Sequence, residues 1–504
     1  MNASSLEFSL NFEHSYAEQL PGFFATLDPT PVPNPSLLQF NTPLAIELGL
    51  DCEQLTPDVV QQLFSGNALP RDAQPIAQVY AGHQFGNFVP QLGDGRALLL
   101  GEIPDQNGKR RDVALKGSGA TPFSRGGDGK AAVGPVLREY LIGEAMHALE
   151  IPTTRALAAV ATGELVMRDR QLPGAILTRV ASSHIRVGTF QYFAARGQID
   201  SLRKLADYVI QRHYPDVSGD SHCYLSLLKL VADHQADLIA RWMLVGFIHG
   251  VMNTDNMAIS GETIDYGPCA FMETYAPDTV FSSIDHAGRY AYGNQPAIAL
   301  WNLARFAETL LPILGHDDSD QAVAEATAIL ETFMPKFQNH WYNGARAKLG
   351  LTSRNSSSYT DNTNAAERSL IDEWFELLAT HKVDYTRSWR YLADAAEGNP
   401  SNLRGLITEP AELDTFLEHW GDFLNDVPKT EVAAEIRATN PIYIPRNHLV
   451  EEALAAASDD GNLTPFENLL QAVRHPFAED PKFARYASPA STNFTANYRT
   501  FCGT

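Results

Sequence analysis

The run Val113-Ala114-Leu115-Lys116 is the stretch on which the interpretation of this chain depends, because an apolar strand pattern there ends in a single lysine. A second apolar run, residues 97–103, precedes it across a polar turn at residues 104–111, so the two runs predict an antiparallel hairpin. Residues 131–149 follow with apolar side chains at four-residue spacing, which predicts an amphipathic helix. Glu139 lies in this helix. The strand lysine and the helix glutamate can therefore meet across a small sheet.

Two further strands, residues 156–162 and 174–180, bring the predicted sheet to about five strands. The next strong pattern is a helix over residues 224–249, whose apolar positions recur at helical spacing. Helical patterns dominate the rest of the chain, at residues 298–314, 321–337 and 366–381. Strands that are gathered ahead of a run of helices predict an α+β fold.

The loop after the long helix carries a second group of polar residues. His249 and Asn256 occupy the outer positions of the protein-kinase pattern H-R-D-x-x-x-x-N, but Val251 stands where that pattern has its base. Asp265 follows, and Gly261-Glu262 between the two polar residues is a two-residue β-hairpin signal. Such a hairpin would bring Asn256 and Asp265 to nearby strand ends. Amide and carboxylate oxygens, completed by phosphates and water, suit Mg²⁺, and Mn²⁺ accepts the same ligands.

The order of these residues along the chain predicts a kinase-type ATP site. Lys116 would bind nucleotide phosphates, and Glu139 would orient the lysine. The set favours a protein-kinase-like bilobal fold of the α+β class, with a small β-rich N-lobe containing one key helix and a larger, mainly α-helical C-lobe with extra helices. We expect a wrapping N-terminal extension at residues 1–75, the N-lobe at 76–190, and the C-lobe at 191–504 with the catalytic loop, the metal-binding hairpin and the C-terminal tail.

Glycine-rich stretches and two arginines add candidate phosphate contacts. Residues 91–96 precede the first strand without G-x-G-x-x-G spacing, so they are either a phosphate loop or a simple turn. Residues 116–130 form a longer glycine-rich loop ahead of a helix N-terminus, where backbone N–H groups and the helix dipole favour anions. Arg179 and Arg186 have guanidinium groups that match phosphate oxygens, although either could equally belong to a surface ion pair.

Composition narrows the class of protein. The 504 residues are 44% hydrophobic and 19% charged, as in ordinary globular proteins, and a net charge of -22 argues against binding to nucleic acid. No apolar window near 18 residues is free of charge, so we expect no membrane partner. Residues 1–20 lack the features of a targeting signal, which makes a cytoplasmic location the default expectation. Four cysteines in so long a chain, without C-x-x-C spacing, exclude a disulfide scaffold and argue against a zinc site.

Five motifs resemble those of the selenoprotein O (YdiU) family, and the resemblance is dense over residues 75–295. They are Tyr80-Ala-Gly-His-Gln-Phe-Gly86, Gln91-Leu-Gly-Asp-Gly-Arg96, the loop from Leu115 to Gly129, Val136-Leu-Arg-Glu-Tyr140, and the segment from Asn256 to Pro268. The resemblance implies a kinase-like fold and a protein adenylyltransferase, which transfers AMP from ATP to Ser, Thr or Tyr hydroxyls and releases pyrophosphate. It also implies that ATP binds in an orientation inverted relative to kinases.

The resemblance further implies roles for particular residues. Asp255 would be the proton acceptor, which agrees with the unsuitable Val251, and Asn256 and Asp265 would be Mg²⁺ ligands. Contacts to ATP would come from Gly93, Gly95, Arg96, Lys116, Asp128, Gly129, Arg179, Arg186 and Asp265.

A redox element is also implied by the resemblance, in which a C-terminal Cys pairs with a Cys of the activation-loop region. Cys502 matches the terminal member. Residues 278–286 contain no Cys, and Cys269 is the only thiol nearby, so a Cys269–Cys502 disulfide is the predicted pairing.

Two other activities use the same residues. A kinase that transfers the γ-phosphoryl group would leave ADP instead of pyrophosphate. A non-catalytic ATP-binding pseudokinase scaffold would explain Val251 without giving Asp255 a task.

Overall fold

A large antiparallel sheet organises the N-terminal part of the chain. The computed structural model describes residues 4–6, 9–315, 318–352, 361–424 and 427–501. The strands are β1 Ser4–Leu6, β2 Phe24–Thr26, β3 Ser36–Phe40, β4 Ala68–Pro70, β5 Ile76–Gln78, β6 Gly82–Gln84, β7 Asn87–Val89, β8 Ala97–Pro104, β9 Arg110–Lys116, β10 Ala131–Ala132, β11 Arg155–Met167, β12 Gln171–Ala181, β13 Phe247–Ile248 and β14 Ala270–Phe271. The main sheet has the order β2-β5-β8-β9-β12-β11-β3, and β10 pairs with β12.

Helices fill most of the remaining described chain. They are α1 Ser15–Gln19, α2 Thr42–Glu47, α3 Pro57–Phe64, α4 Val133–Ala148, α5 Val187–Ala194, α6 Ile199–His213, α7 Cys223–Leu244, α8 Gln295–Leu310, α9 Ser319–Glu331, α10 Phe333–Lys348, α11 Asp361–His381, α12 Tyr385–Ala396, α13 Ser401–Arg404, α14 Pro410–Leu424, α15 Lys429–Thr439, α16 Asn447–Asp459, α17 Thr464–Val473 and α18 Thr492–Asn497. The fold is therefore mixed α/β, with a β-rich N-terminal region and a helical C-terminal part. Within the described ranges, we find no helix with both the length and the apolar character that crossing a bilayer requires.

The predicted hairpin around the lysine strand is confirmed. β8 and β9 pair antiparallel, with Leu98 opposite Leu115 and Ala97 opposite Lys116. Leu98 and Leu115 are buried, whereas Lys116 at the end of its strand is partly exposed. The apolar residues therefore pack in the core, and Lys116 lies at the edge of the core.

Within the described residues the main sheet has eight strands, whereas the sequence predicts about five. The additional strands are short: β2, β5 and β10 have two or three residues each, and β3 has five. Segments of this length are too brief to show an alternating pattern, and the prolines around residues 29–35 favour loops. Pairing with longer neighbours, rather than local preference, therefore makes them strands.

The predicted β-hairpin at Gly261-Glu262 is wrong. A turn does form there, because Gly261 has a φ of 79° and its N–H donates to the carbonyl of Ala258. The two arms, however, bridge different partners, since Ala258 pairs with Arg186 and Thr263 pairs with Thr153. The predicted turn is therefore present, but the segments on its two sides pair with other parts of the chain and not with each other.

Two predicted helix ends also differ from the structure. α7 ends at Leu244 because Gly246 adopts a φ of 76°, and β13 follows immediately. The pattern over residues 321–337 is divided between α9 and α10, which meet at Thr332. The apolar residues of α9 and α10 follow the same helical spacing, so the periodicity of the sequence does not reveal the break between the two helices.

The helix that carries Glu139 is packed between the sheet and the C-terminal helices. Val136 and Leu137 of α4 belong to one buried cluster with Leu449 and Val450 of α16 and Leu469 of α17. This packing fixes α4 from the side opposite the sheet.

Arg446, at the start of α16, links three segments in the interior. Its side chain is 0% exposed, and Nη1 lies 2.5 Å from Glu273 Oε2 and 2.9 Å from Asp384 Oδ2.

We expect Arg446→Met to destabilise the protein by about 3–5 kcal/mol, because two buried carboxylates lose their cation. The urea midpoint measures this. Arg485→Met is the matched control, since its pair with Glu452 is exposed and is worth about 0–1 kcal/mol. Equal midpoints for the two variants would contradict the assignment.

Candidate functional site

One cleft of about 1330 Å³ is lined by all the residues that the sequence predicts to contact ATP, to orient Lys116, to bind the metal ion or to accept the proton. Its lining includes Gly93, Gly95, Arg96, Lys116, Asp128, Gly129, Glu139, Arg179, Arg186, Asp255, Asn256 and Asp265. These side chains come from β9, β12, α4 and several loops that are separated by up to 172 positions in the chain. The fold therefore brings the predicted residues together.

The centre of the cleft is a cluster of two carboxylates and two cations. Lys116 Nζ lies 2.6 Å from Glu139 Oε2 and 2.7 Å from Asp265 Oδ1. Arg179 Nε donates to Glu139 Oε1 at 2.8 Å, and Arg179 also donates to Asp265. Lys116 and Arg179 thus bridge the same two carboxylates, and the predicted contact between strand lysine and helix glutamate is present.

Electrostatics within this cluster hold both acids in the charged form. Burial raises the pKa of Asp265, but Arg179, Lys116 and Arg186 outweigh burial and hold that pKa well below its usual range. The pKa of Glu139 is likewise lowered, because Arg179 and Lys116 overcome the effect of burial. Asp265 has a φ of 65°, a left-handed conformation that is uncommon outside glycine. Its position is therefore held by ion pairs rather than by backbone preference.

Arg186 extends the positive charge along the cleft. The residue precedes α5, and its Nη1 lies 3.7 Å from Asp265 Oδ2 while its Nη2 lies 3.8 Å from Asp94 Oδ1. The guanidinium group also lies over the ring of Tyr80, 4.3 Å from the ring centroid. It is only 4% exposed, which rules out the alternative of a surface ion pair. Arg179 is equally buried, at 3% exposed.

Asp255 lies in a one-turn 3₁₀ helix, Thr254–Asn256, and is only 7% exposed. Its Oδ2 accepts a hydrogen bond from Gln84 Nε2 at 3.2 Å. Its Oδ1 is buried and has no hydrogen-bond partner in the described part of the chain. Burial raises the pKa of the Asp255 carboxyl to about 6, against the opposing hydrogen bond from Gln84. This carboxylate is in a quite different environment from that of Asp265.

Asn256 and Asp265 offer oxygen atoms of the kind that a hard cation binds. Asn256 Nδ2 donates to the carbonyl of Val251 at 2.9 Å, so the donor end of the amide is used and Oδ1 is the end suited to a cation. No group of three or more His, Cys, Asp or Glu that could hold a metal occurs among the described residues. A cation here would need further oxygens from a ligand or water, which fits Mg²⁺ or Mn²⁺ bound together with phosphates.

The glycine-rich segments pack against each other at the mouth of the cleft. Thr121 Oγ1 donates to the carbonyl of Asp94 at 2.7 Å. Gly93 has a φ of 122°, and a Cβ at that position would lie 2.5 Å from Phe123 Cγ, so glycine is required. Asp128 accepts hydrogen bonds from Arg168 at 2.8 Å and 3.1 Å, so its carboxylate is already paired with a guanidinium group.

His249 is a structural residue. It is 0% exposed, its Nε2 is 2.9 Å from the carbonyl of Ile264, and its ring stacks on Trp242. His249 therefore matches the kinase pattern because it holds the loop in place through the carbonyl of Ile264, and it does not line the cleft.

Sequence reasoning from charge and spacing missed three residues of the site. Gln84 contacts Asp255, Tyr80 lies beneath Arg186, and Arg168 pairs with Asp128. Gln84 and Tyr80 belong to the Tyr80–Gly86 motif, which was recognised only through the family resemblance. A tyrosine or an uncharged glutamine does not by itself indicate a functional site in a sequence. Arg168 lies in the turn between β11 and β12, outside the other motifs.

The predicted Cys269–Cys502 disulfide involves a residue outside the described ranges, so the pairing stays a prediction. Cys269 is 3% exposed, and burial raises the pKa of its thiol to about 12. The described chain approaches it again at Thr500, whose Oγ1 donates to the carbonyl of Pro268 at 2.7 Å.

Comparison with known proteins identifies relatives over almost the whole length. A sequence model of the family described as "Protein adenylyltransferase SelO" matches residues 7–474. The chain is 58% identical to "Protein nucleotidyltransferase YdiU" of Chromobacterium violaceum over 489 residues, which cover 96% of this chain and 100% of that protein. Proteins of the same name from Cereibacter sphaeroides strain KD131 and Rhizobium meliloti are 56% and 54% identical, and each alignment covers 98% of this chain and 100% of the relative.

Proposed function

Since the chain belongs to the SelO family of protein adenylyltransferases, we propose that it transfers AMP from ATP to Ser, Thr or Tyr hydroxyls of other proteins and releases pyrophosphate. The observation that carries this proposal is the convergence of Lys116, Glu139 and Asp265 with the separate buried acid Asp255 in one cleft. ATP and protein substrates follow from the family. The acceptor side chains and the residue roles below are our proposals.

We propose that the fold is a protein-kinase-like one in two lobes, with the boundaries expected from the sequence at residues 76–190 and 191–504. The β-rich region supplies the lysine strand and the Glu139 helix, and the helical part supplies the loops of Asp255 and Asp265. The cleft is lined from both regions. This arrangement supports the proposal.

In this proposal, the cationic residues of the cleft bind the phosphates of ATP. Lys116, Arg179 and Arg186 are buried or partly buried and lie within 4 Å of Asp265. Their ion pairs with Asp265 hold these side chains in position, which limits the reorganisation needed when charge develops on the phosphate oxygens. The backbone of Gly93, Gly95 and Gly129, with Arg96 and Asp128, would complete the contacts to ATP.

Asp255 is the proposed proton acceptor. The oxygen of the target hydroxyl forms a bond to the α-phosphorus, the bond from that phosphorus to pyrophosphate breaks, and the hydroxyl proton passes to the Asp255 carboxylate. Asp265 is unsuited to this task because three cations hold its pKa well below the usual range. The two acids therefore have separate functions, set by their surroundings.

Asn256 and Asp265 are the residues that we propose hold Mg²⁺ or Mn²⁺. When bound, such a cation neutralises phosphate charge and polarises the phosphoryl group. The protein contributes one amide oxygen and one carboxylate, and the remaining ligands would come from ATP and water.

ATP labelled separately at the α and γ positions tests the function. We expect label on protein from the α position only, together with stoichiometric pyrophosphate, and we expect EDTA to abolish the reaction. Label from the γ position would indicate the kinase alternative, and label from neither position would indicate the non-catalytic scaffold. Lys116→Met serves as the matched inactive control, because it removes the cation that bridges Glu139 and Asp265.

A further inference from the structure

The hairpin formed by β6 and β7 lies directly over the loop that carries the proposed proton acceptor. Gln84, the last residue of β6, stands between two residues whose backbone is tied to that loop. The N–H of His83 donates to Thr254 Oγ1 at 2.6 Å, and the N–H of Phe85 donates to Asn253 Oδ1 at 3.1 Å. The backbone on both sides of Gln84 is therefore fixed, which limits where its amide can reach.

Three further hydrogen bonds stabilise this junction. Thr254 Oγ1 donates to Gln191 Oε1 at 2.6 Å, and Gln191 Nε2 lies 2.8 Å from His83 Nδ1. Tyr290 OH donates to Asn253 Oδ1, also at 2.6 Å. The hairpin, α5 and the acceptor loop thus form one hydrogen-bonded unit.

The two oxygens of the Asp255 carboxylate have different surroundings. Oδ1 is buried, and a Cβ placed on Gly82 would lie only 2.3 Å from it, so the backbone of the hairpin closes off this oxygen. Oδ2 accepts the hydrogen bond from Gln84 Nε2. Because Oδ1 is excluded from solvent, Oδ2 is the oxygen that an incoming hydroxyl can meet.

An amide is suited to hold this carboxylate. A neutral N–H donor fixes the direction of Oδ2 and uses one of its acceptor sites, which leaves a second site for the proton of the target hydroxyl.

We propose that Gln84 is a positioning residue for AMP transfer, which orients Oδ2 of Asp255 toward the acceptor hydroxyl. This inference rests on the function proposed above for Asp255. Gln84 lines the cleft and acts through Asp255 rather than on ATP.

The first test is Gln84→Met, which keeps the length of the side chain but removes the donor. We expect kcat for AMP transfer to fall about 10- to 100-fold, which is the size expected for one hydrogen bond to a charged group. The KM for ATP should not change. Gln84→Glu should lower kcat further, since it sets a second carboxylate against Asp255. Gln106→Met is the matched control and should retain full activity, because the Gln106 amide binds the carbonyl of Ile46 away from the cleft.

A double-mutant cycle with Asp255→Asn separates positioning from a general structural effect. We expect Gln84→Met to cause no further loss of kcat in the Asp255→Asn background. An equal loss in both backgrounds, an unchanged kcat in Gln84→Met, or a loss that appears in the KM for ATP would overturn the inference. Full activity of Asp255→Asn itself would instead remove the proposed proton acceptor, so the two failures can be told apart. If Gln84→Met lowers the melting temperature, Gln84→Asn, which keeps the amide but shortens its reach, supplies the same cycle.

Discussion

Asp265→Asn is expected to lower AMP transfer by about 10³-fold or more, because this carboxylate serves both the proposed cation and the phosphate-binding side chains. In the structure it lies within 4 Å of Lys116, Arg179 and Arg186. Loss of its charge leaves these cations with less compensation. We therefore expect a lower melting temperature for the free protein and tighter binding of ATP in the presence of EDTA, which isothermal titration calorimetry measures.

Glu139→Gln is the matched comparison for this variant. It removes one negative charge from the same cluster, since Glu139 pairs with Lys116 and Arg179, but it removes no proposed metal ligand. We expect its residual transfer to keep responding to Mg²⁺, whereas that of Asp265→Asn should not. Undiminished Mg²⁺-dependent transfer by Asp265→Asn would exclude the metal-binding role.

Asp255→Asn is expected to lower kcat by about 10²–10⁴-fold, the contribution typical of a general base. The affinity for ATP should be retained, because the carboxylate is 7% exposed and its side-chain hydrogen bond is with Gln84 rather than with a phosphate-binding residue. Initial rates with α-labelled ATP and calorimetric ATP binding measure the two effects separately.

Asp278→Asn is the control for the loss of one acidic residue. Asp278 is exposed, and it lies after Asp255 and Asp265 in the sequence. It should behave like the unmodified protein in both assays. Full AMP transfer by Asp255→Asn would mean that the proton leaves by another route.

The sequence predicted those parts of the site that rest on local pattern. Local patterns predicted the lysine strand, its hairpin partner and the Glu139 helix. The observed β9, β8 and α4 have nearly the predicted bounds. Lys116 and Glu139 then meet because α4 packs on β11 and β12, and β12 is the neighbour of the lysine strand β9 in the sheet.

The remaining features depend on contacts between distant segments. The loop after α7 was expected to be a β-hairpin, but residues 258 and 263 pair with segments near Arg186 and Thr153. Gln84 approaches Asp255 across 171 positions of sequence, and an uncharged amide gives no sign of this in isolation. The proposed domain boundaries and the disulfide of Cys502 remain predictions.

The positions of β2 and β3 imply that these two strands protect the edges of the main sheet. These two strands are the outermost members of the main sheet, β2 beside β5 and β3 beside β11. A chain that began after Phe40 would expose the unpaired backbone N–H and C=O groups of β5 and β11, which invite edge-to-edge association between molecules. These two N-terminal strands therefore protect both edges of the main sheet from association with other molecules.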